Sequence, residues 1–156
     1  VRLRGPGRPV SGGHVYIAGK MRGVPHFNFH AFYAAEVRLR ISDPTATIMN
    51  PARRDVEQHG PSVLASPTGD LADVPQFDLR EALGFDLAWI CEHATEVHML
   101  PGWQASKGAV AERATAIALG LDVTYADGAT PGTSEYREGY LAGLAVPVYS
   151  RERYER

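Results

Sequence analysis

The sequence predicts a single-domain α/β fold with a mostly parallel sheet flanked by helices. Three observations carry this. The chain has 156 residues, 44% of them apolar and 22% charged, enough for one soluble domain with its own core. Four short apolar runs are bounded by Gly, Pro or other turn residues, as buried strands are. Stretches with helical spacing lie between them, and such alternation builds βαβ units and a parallel sheet.

The elements follow in order. "HVYIA" (His14 to Ala18) sits between Gly-Gly and Gly19 and reads as a buried strand. "GKMRGVPHFN" is a loop. "FHAFYAAEVRLRI" has helical spacing, with Phe29, Phe32, Tyr33, Val37 and Ile41 on one side. Asp43-Pro44 stops it, because the residue before a proline is pushed out of helical geometry. "ATIMN" is a second strand, ended by Pro51. Residues 51 to 77 are polar, rich in Pro and Gly, and resist assignment; a connection that long is functional or ordered by short helices. "FDLREALGFDLAWICEH" is a helix despite Gly84, with Trp89 and Ile90 in the core. "EVHML" is a third strand, Lys107 to Leu119 a helix closed by Gly120, and "LDVTYA" a fourth strand. A short helix over Glu135 to Leu144 and an extended "AVPVYS" are expected near the end. The plan is Rossmann-like or flavodoxin-like: a lead-in at 1–13 with Gly and Pro but little to bury, a domain at 14–150, and a charged tail at 151–156.

Composition excludes several classes. The net charge of −2 offers no basic excess for a nucleic acid polymer, so an anion site must be local. No apolar run approaches the ~20 residues that cross a bilayer, and the N-terminal positive charge has no apolar stretch behind it, so neither a membrane span nor a secretory signal is expected. Cys91 stands alone and cannot form an internal disulfide, which fits a cytoplasmic protein.

In parallel sheets ligands sit beyond the C-terminal strand ends. Two loops fall there: Gly19 to Asn28 and Pro101 to Lys107. In "AGKMRG", Gly19 and Gly23 let the backbone approach a ligand, Lys20 and Arg22 carry positive charge, and a helix N-terminus follows, a combination that suits phosphate. Neither a Walker loop nor a dinucleotide fingerprint is present, and a strand-to-helix turn with two surface cations satisfies the same pattern. In "SKGAVAE", Ser106 is an N-cap candidate and the helix opening a second anion site. At about 100° per residue, Val110, Ala114 and Ile117 share one face. Glu112 points away from them, toward the side of Gly108 and Thr115. By periodicity that is the solvent side, yet the small residues around Glu112 are those a packed substrate requires. Asp86 lies among Phe85, Leu87 and Trp89, where partial desolvation raises a carboxyl pKa, and two carboxyls in one pocket divide roles. On an amphipathic helix, a surface position is the ordinary reading of such an Asp. His26 and His30 are four apart, the spacing of a metal pair on a helix, but no third ligand matches, so no metal or cofactor is expected. Cys91 and His93 do not face each other on a helix, and no GxSxG elbow occurs.

Together "VYIAGKMRG", "DLAW" and "LPG…SKGAVAE…A.ALG", over Tyr16 to Val123, resemble the nucleoside 2-deoxyribosyltransferase-like superfamily, close to its 2'-deoxynucleoside 5'-phosphate N-hydrolase branch and to small phage and bacterial members. The resemblance implies Glu112 as nucleophile, Asp86 as the acid that orients the sugar or assists base departure, and Tyr16 at the pocket floor. It implies phosphate contacts from Ser106, which lies six residues before Glu112, and from Gly19, Met21, Arg22 and Gly23, with Gly108 opening the same helix. This chain departs from the family pattern at Lys20, where a small hydroxyl residue is usual, at Arg113, where Gly is usual, and in the longer loop "PGWQA". The implied reaction is cleavage of the base–sugar bond of a nucleoside monophosphate through a glycosyl-Glu intermediate, with water or a second base as acceptor. A non-catalytic nucleotide-binding module is the alternative of another class. Homo-oligomers are implied, with the segment from Gly132 to Tyr149 completing a neighbour's pocket.

Overall fold

The structure, a computed structural model, describes residues 12–126. The expected helix and strand of the tail, the flanking segments 1–11 and 127–156, and the pocket-completing role of Gly132 to Tyr149 lie outside the described residues. The order is β1 (His14–Ala18), α1 (Phe29–Ser42), β2 (Thr47–Met49), α2 (Pro51–His59), α3 (Leu79–His93), β3 (Glu96–Met99), α4 (Lys107–Ala118) and β4 (Asp122–Tyr125). Single turns of 3-10 helix occur at Pro25–Asn28, Pro61–Ala65, Leu71–Asp73 and Trp103–Ala105.

The strands form one sheet in the order β2-β1-β3-β4, every pairing parallel, with Tyr16 opposite Met49 on one side and Val97 on the other. This is the expected single-domain α/β fold. The alternation of β1 splits the core between the two sheet faces. Tyr16 and Ala18 pack with Ile90, Val97, Met99, Ala109 and Ala116 under α3 and α4. Ile17 packs with Phe29, Phe32, Ala35, Ala52 and Leu100 under α1 and α2. The chain leaves β1 toward β2, then returns to the other side to build β3. The sheet therefore has its switch point at the C-terminal ends of β1 and β3, where a crevice is expected.

One expectation needs correction. The apolar stripe assigned to α1 does not all turn inward. Phe29 and Phe32 are buried, but Val37 is 57% and Ile41 76% exposed, while Glu36 is buried. The cause is polar: Glu36 accepts hydrogen bonds from Asn50 Nδ2 (2.8 Å), Arg40 (2.8 Å) and Arg53 (3.0 Å), and that hub turns its side of the helix toward α2. Those bonds hold its carboxyl below the usual range against the opposing effect of burial. Residues 51–77 are ordered by short helices, one of the two outcomes expected of so long a connection. Pro51 occupies the first turn of α2, and Asn50 Oδ1 caps it by accepting from Ala52 N (3.0 Å) and Arg53 N (3.3 Å). The local signal for this helix is the cap and proline, which its polar composition obscures.

Glu36→Ala leaves Asn50 Nδ2 buried without its acceptor and frees two guanidinium groups. The expected loss is about 2 kcal/mol in chemical denaturation, with Glu36→Gln closer to wild type. Unchanged stability in both variants removes Glu36 as the link between α1 and α2.

Candidate functional site

A cleft of about 770 Å³, counting its open mouth, lies at the switch point. Tyr16 and Gly19 of β1 and its loop form the floor. Asp55 of α2, Asp86 of α3 and Glu112 of α4 project into it from three helices. Met21, Arg22, Ser106 and Gly108 also line it, so eight of the ten site residues expected from sequence come together there. Lys20 and Gly23 are not among the lining residues. Lys20 instead presents its backbone oxygen to Asn28 Nδ2 (2.9 Å), and Gly23 makes a turn at φ +73°.

Glu112 is only 6% exposed, and its Oε1 accepts a hydrogen bond from the Tyr16 hydroxyl at 2.9 Å. The solvent-side reading of α4 is therefore inverted: Ala109, Glu112 and Ala116 face inward, while Val110 and Ile117 are 44% and 37% exposed. The reason is space. Alanines let α4 approach the sheet beside the fully buried Tyr16 ring, and the phenol then requires a polar partner. Asp86 interacts with the same phenol, and its Oδ1 is buried without a hydrogen bond among the described residues. Asp55 is 5% exposed. Its nearest cation is the Arg54 guanidinium at 3.9 Å, which also packs 3.7 Å over the Phe85 ring.

Burial raises all three carboxyls, and the charge of Asp86 adds to the shift at Glu112 and at Asp55. Burial, and after it the charge of Asp86, pushes Glu112 up to about 8 against the opposing Tyr16 hydrogen bond. Burial lifts Asp86 to about 6, with Arg54 and Tyr16 pulling down. Burial and Asp86 lift Asp55 to about 7. Tyr16 itself goes well above 10.0, through burial and then its acidic neighbours, so it stays a hydrogen-bond donor.

The loop after β1 is held by the 51–77 segment. Gly23 N donates to Gly69 O (2.9 Å) and His26 N to Ser66 O (2.7 Å). His26, Phe27 and Asn28 all have positive φ (54°, 51° and 59°), a costly run for residues other than glycine. Burial of Phe27 against the cleft and His26 Nδ1 donating to Leu64 O (2.6 Å) maintain it. His26 thus lies before α1, and its spacing from His30 does not make a helical pair. Among the described residues no group of three or more His, Cys, Asp or Glu could hold a metal. Gly19 serves packing: an added Cβ would meet Leu100 Cβ at 2.9 Å and Phe32 Cζ at 3.1 Å. Around Gly108 the space is open, the nearest atom to such a Cβ being Ser106 Oγ at 3.8 Å. Ser106 caps α4 by accepting from Ala109 N (3.2 Å), which leaves its own proton to donate. Sequence reasoning missed Asp55. The usable signal was the Asn50-Pro51 helix start, which makes Asp55 a helical residue one turn beyond a strand end.

Fold and site define an α/β domain with an acid-lined cleft at its switch point. The chain belongs to the DUF4406 family, a domain of unknown function, whose profile matches residues 13–125, from β1 to β4. The comparisons with curated proteins and with solved structures find no match. Among the described residues no helix is long and apolar enough to cross a membrane.

The raised carboxyls carry a stability signature. Glu112 ionises near pH 8 in the fold and near 4.5 ordinarily, so between those values the folded chain holds a proton that the unfolded chain releases. Stability from this group is complete below that window and falls as pH rises through it. Glu112→Gln keeps an acceptor for Tyr16 and removes the titration. Its melting temperature relative to wild type should therefore climb from pH 5 to pH 8; a difference independent of pH would mean Glu112 titrates normally.

Proposed function

We propose that this protein is an N-glycosidase of the nucleoside 2-deoxyribosyltransferase-like type, which cleaves the base–sugar bond of a nucleoside 5'-monophosphate with Glu112 as nucleophile. The observation that carries the reading is the buried Glu112 carboxyl, held by the Tyr16 hydroxyl beside Asp86 at the floor of an open cleft. A surface glutamate or a structural ion pair needs no such cleft, and a pure binder has no use for an acid pair with raised pKa values.

The chemistry follows from the groups present. Departure of a base leaves an oxocarbenium-like sugar, which a carboxylate captures as a glycosyl ester. The Tyr16 hydrogen bond fixes the Glu112 oxygens, and capture requires C1' to be aligned with one of them. Asp86 Oδ1, buried and unpaired, suits a sugar hydroxyl as donor. Ser106, Gly108 and the α4 N-terminus, with Arg22, suit the 5'-phosphate. Phe27, Phe29, Phe32 and Phe77 supply apolar wall for a flat base. Water hydrolyses the ester; a second base in its place makes the reaction a transfer.

Chromatography of a panel of nucleosides and monophosphates, with and without an acceptor base, tests this. Wild type should release free base, and Glu112→Ala or Glu112→Gln should lose at least about 10³-fold while remaining folded; undiminished turnover removes Glu112 as nucleophile. Ser106→Ala and Arg22→Ala should weaken nucleotide more than nucleoside binding, and equal effects on both count against the phosphate site.

A further inference from the structure

The reaction above leaves one buried acid unused. Asp55 lies on α2, the helix after β2, whereas Ser106 and Glu112 follow β3. In the sheet order, β1 with Tyr16 and Gly19 stands between those two strands. The cleft thus runs from an anion-binding end at the α4 N-terminus, past the nucleophile, to a wall built by α2 and the segment after it. Six residues of 51–77 line the cleft: Pro51, Val63, Leu71, Val74, Phe77 and Asp55. Five are apolar, the character of a wall against the face or edge of a base. Asp55 is the sole polar group among them.

That side chain is 7% exposed and makes no hydrogen bond with the described residues; the Arg54 contact, at 3.9 Å, is beyond hydrogen-bond reach. The groups that act on its charge are Arg54 of its own helix and Asp86 of α3. A buried carboxyl whose one ion-pair contact is this long is costly unless it is protonated or meets a ligand. On the glycosidase reading the phosphate goes to the α4 N-terminus and the sugar to Glu112 and Asp86, which leaves the base for the wall that carries Asp55.

We propose that Asp55 is the proton donor to the departing base, a role that rests on the glycosidase reading, and that Asp86 serves the sugar instead. In the first step a Glu112 carboxylate oxygen bonds to C1', the C1'–N bond breaks, and its electron pair on the base nitrogen takes the Asp55 proton. In the second, water bonds to C1' from the side the base has left, the ester C1'–O bond breaks, and the water proton returns to the Asp55 carboxylate. Glu112 is regenerated as carboxylate and Asp55 as acid. Glu112 is lifted to about 8 and Asp55 to about 7, so the form with Glu112 ionised and Asp55 protonated is a minor population near neutrality, and it is this form that reacts.

The test compares two leaving groups on one sugar phosphate: the best natural base found in the panel, and 4-nitrophenol, which departs as an anion and needs little protonation. Their rates are compared as a ratio within each variant, so a shortage of folded protein cancels. Asp55→Asn should lose about 10²-fold or more on the natural nucleotide and only a few-fold on the nitrophenyl glycoside. Asp55→Glu, which keeps a carboxyl, should return the ratio toward wild type, and Asp55→Ser replaces Asn should the amide fail to fold. Glu112→Gln should lose both substrates. If Asp55→Asn and Asp55→Ser lose both substrates equally, or neither, Asp55 is not the donor and the glycosidase reading stands. If Asp86→Asn alone shows the selective loss, Asp86 is the donor. A wild-type protein that releases no base and no nitrophenol overturns the glycosidase reading and this inference with it.

Discussion

The structure depends on one buried hydrogen bond, from the Tyr16 hydroxyl to Glu112 at 2.9 Å. Tyr16 sits in the middle of the sheet, fully buried, and a phenol there must find an acceptor. Meeting that need sets the rotation of α4 about its own axis. Glu112 turns inward, Ala109 and Ala116 pack beside it, and Val110 and Ile117 are turned to the outside. Hydrophobic burial alone would rotate the helix the other way. The fold therefore accepts exposed apolar surface in order to keep a carboxyl at the sheet's switch point, a local violation of core-packing rules of the kind found at functional sites.

The same trade recurs on α1. Glu36 is buried by three bonding partners on α1, α2 and its cap, and Val37 and Ile41 remain outside. The two inward glutamates serve different ends. Glu36 is saturated with donors and its pKa is low, so it is a structural anchor. Glu112 has a single donor and acidic neighbours, and its pKa is high. Identical side chains at similar depth thus differ in chemistry through what surrounds them.

The 51–77 segment joins fold to site. Its first helix is capped by Asn50, which also donates to Glu36, so the α1 anchor and the α2 start share one residue. Further along, Ser66 and Gly69 hold the loop after β1, including the strained turn at His26 to Asn28. Gly69 itself has no room for a side chain: an added Cβ would meet Val24 O at 2.1 Å. The cleft wall is in this way tied to both sides of the switch point.

By itself the sequence determined the fold class, the bounds of all four strands to within a residue or two, and two loops beyond strand ends that contribute to the cleft. These are local signals: short apolar runs, Gly and Pro punctuation, and helical spacing. It also pointed to Glu112, Asp86, Tyr16 and Ser106, through motif order rather than through periodicity, which argued for solvent. Only the tertiary structure decided which helix faces turn inward, that α2 exists as a cleft wall, and that Asp55 joins the other acids. Those outcomes rest on pairings between residues far apart in the chain, Tyr16 with Glu112 across 96 positions and Glu36 with Arg53 across 17. A hydrogen bond or a raised pKa is a property of a shared space, and no residue's local sequence records who will share it.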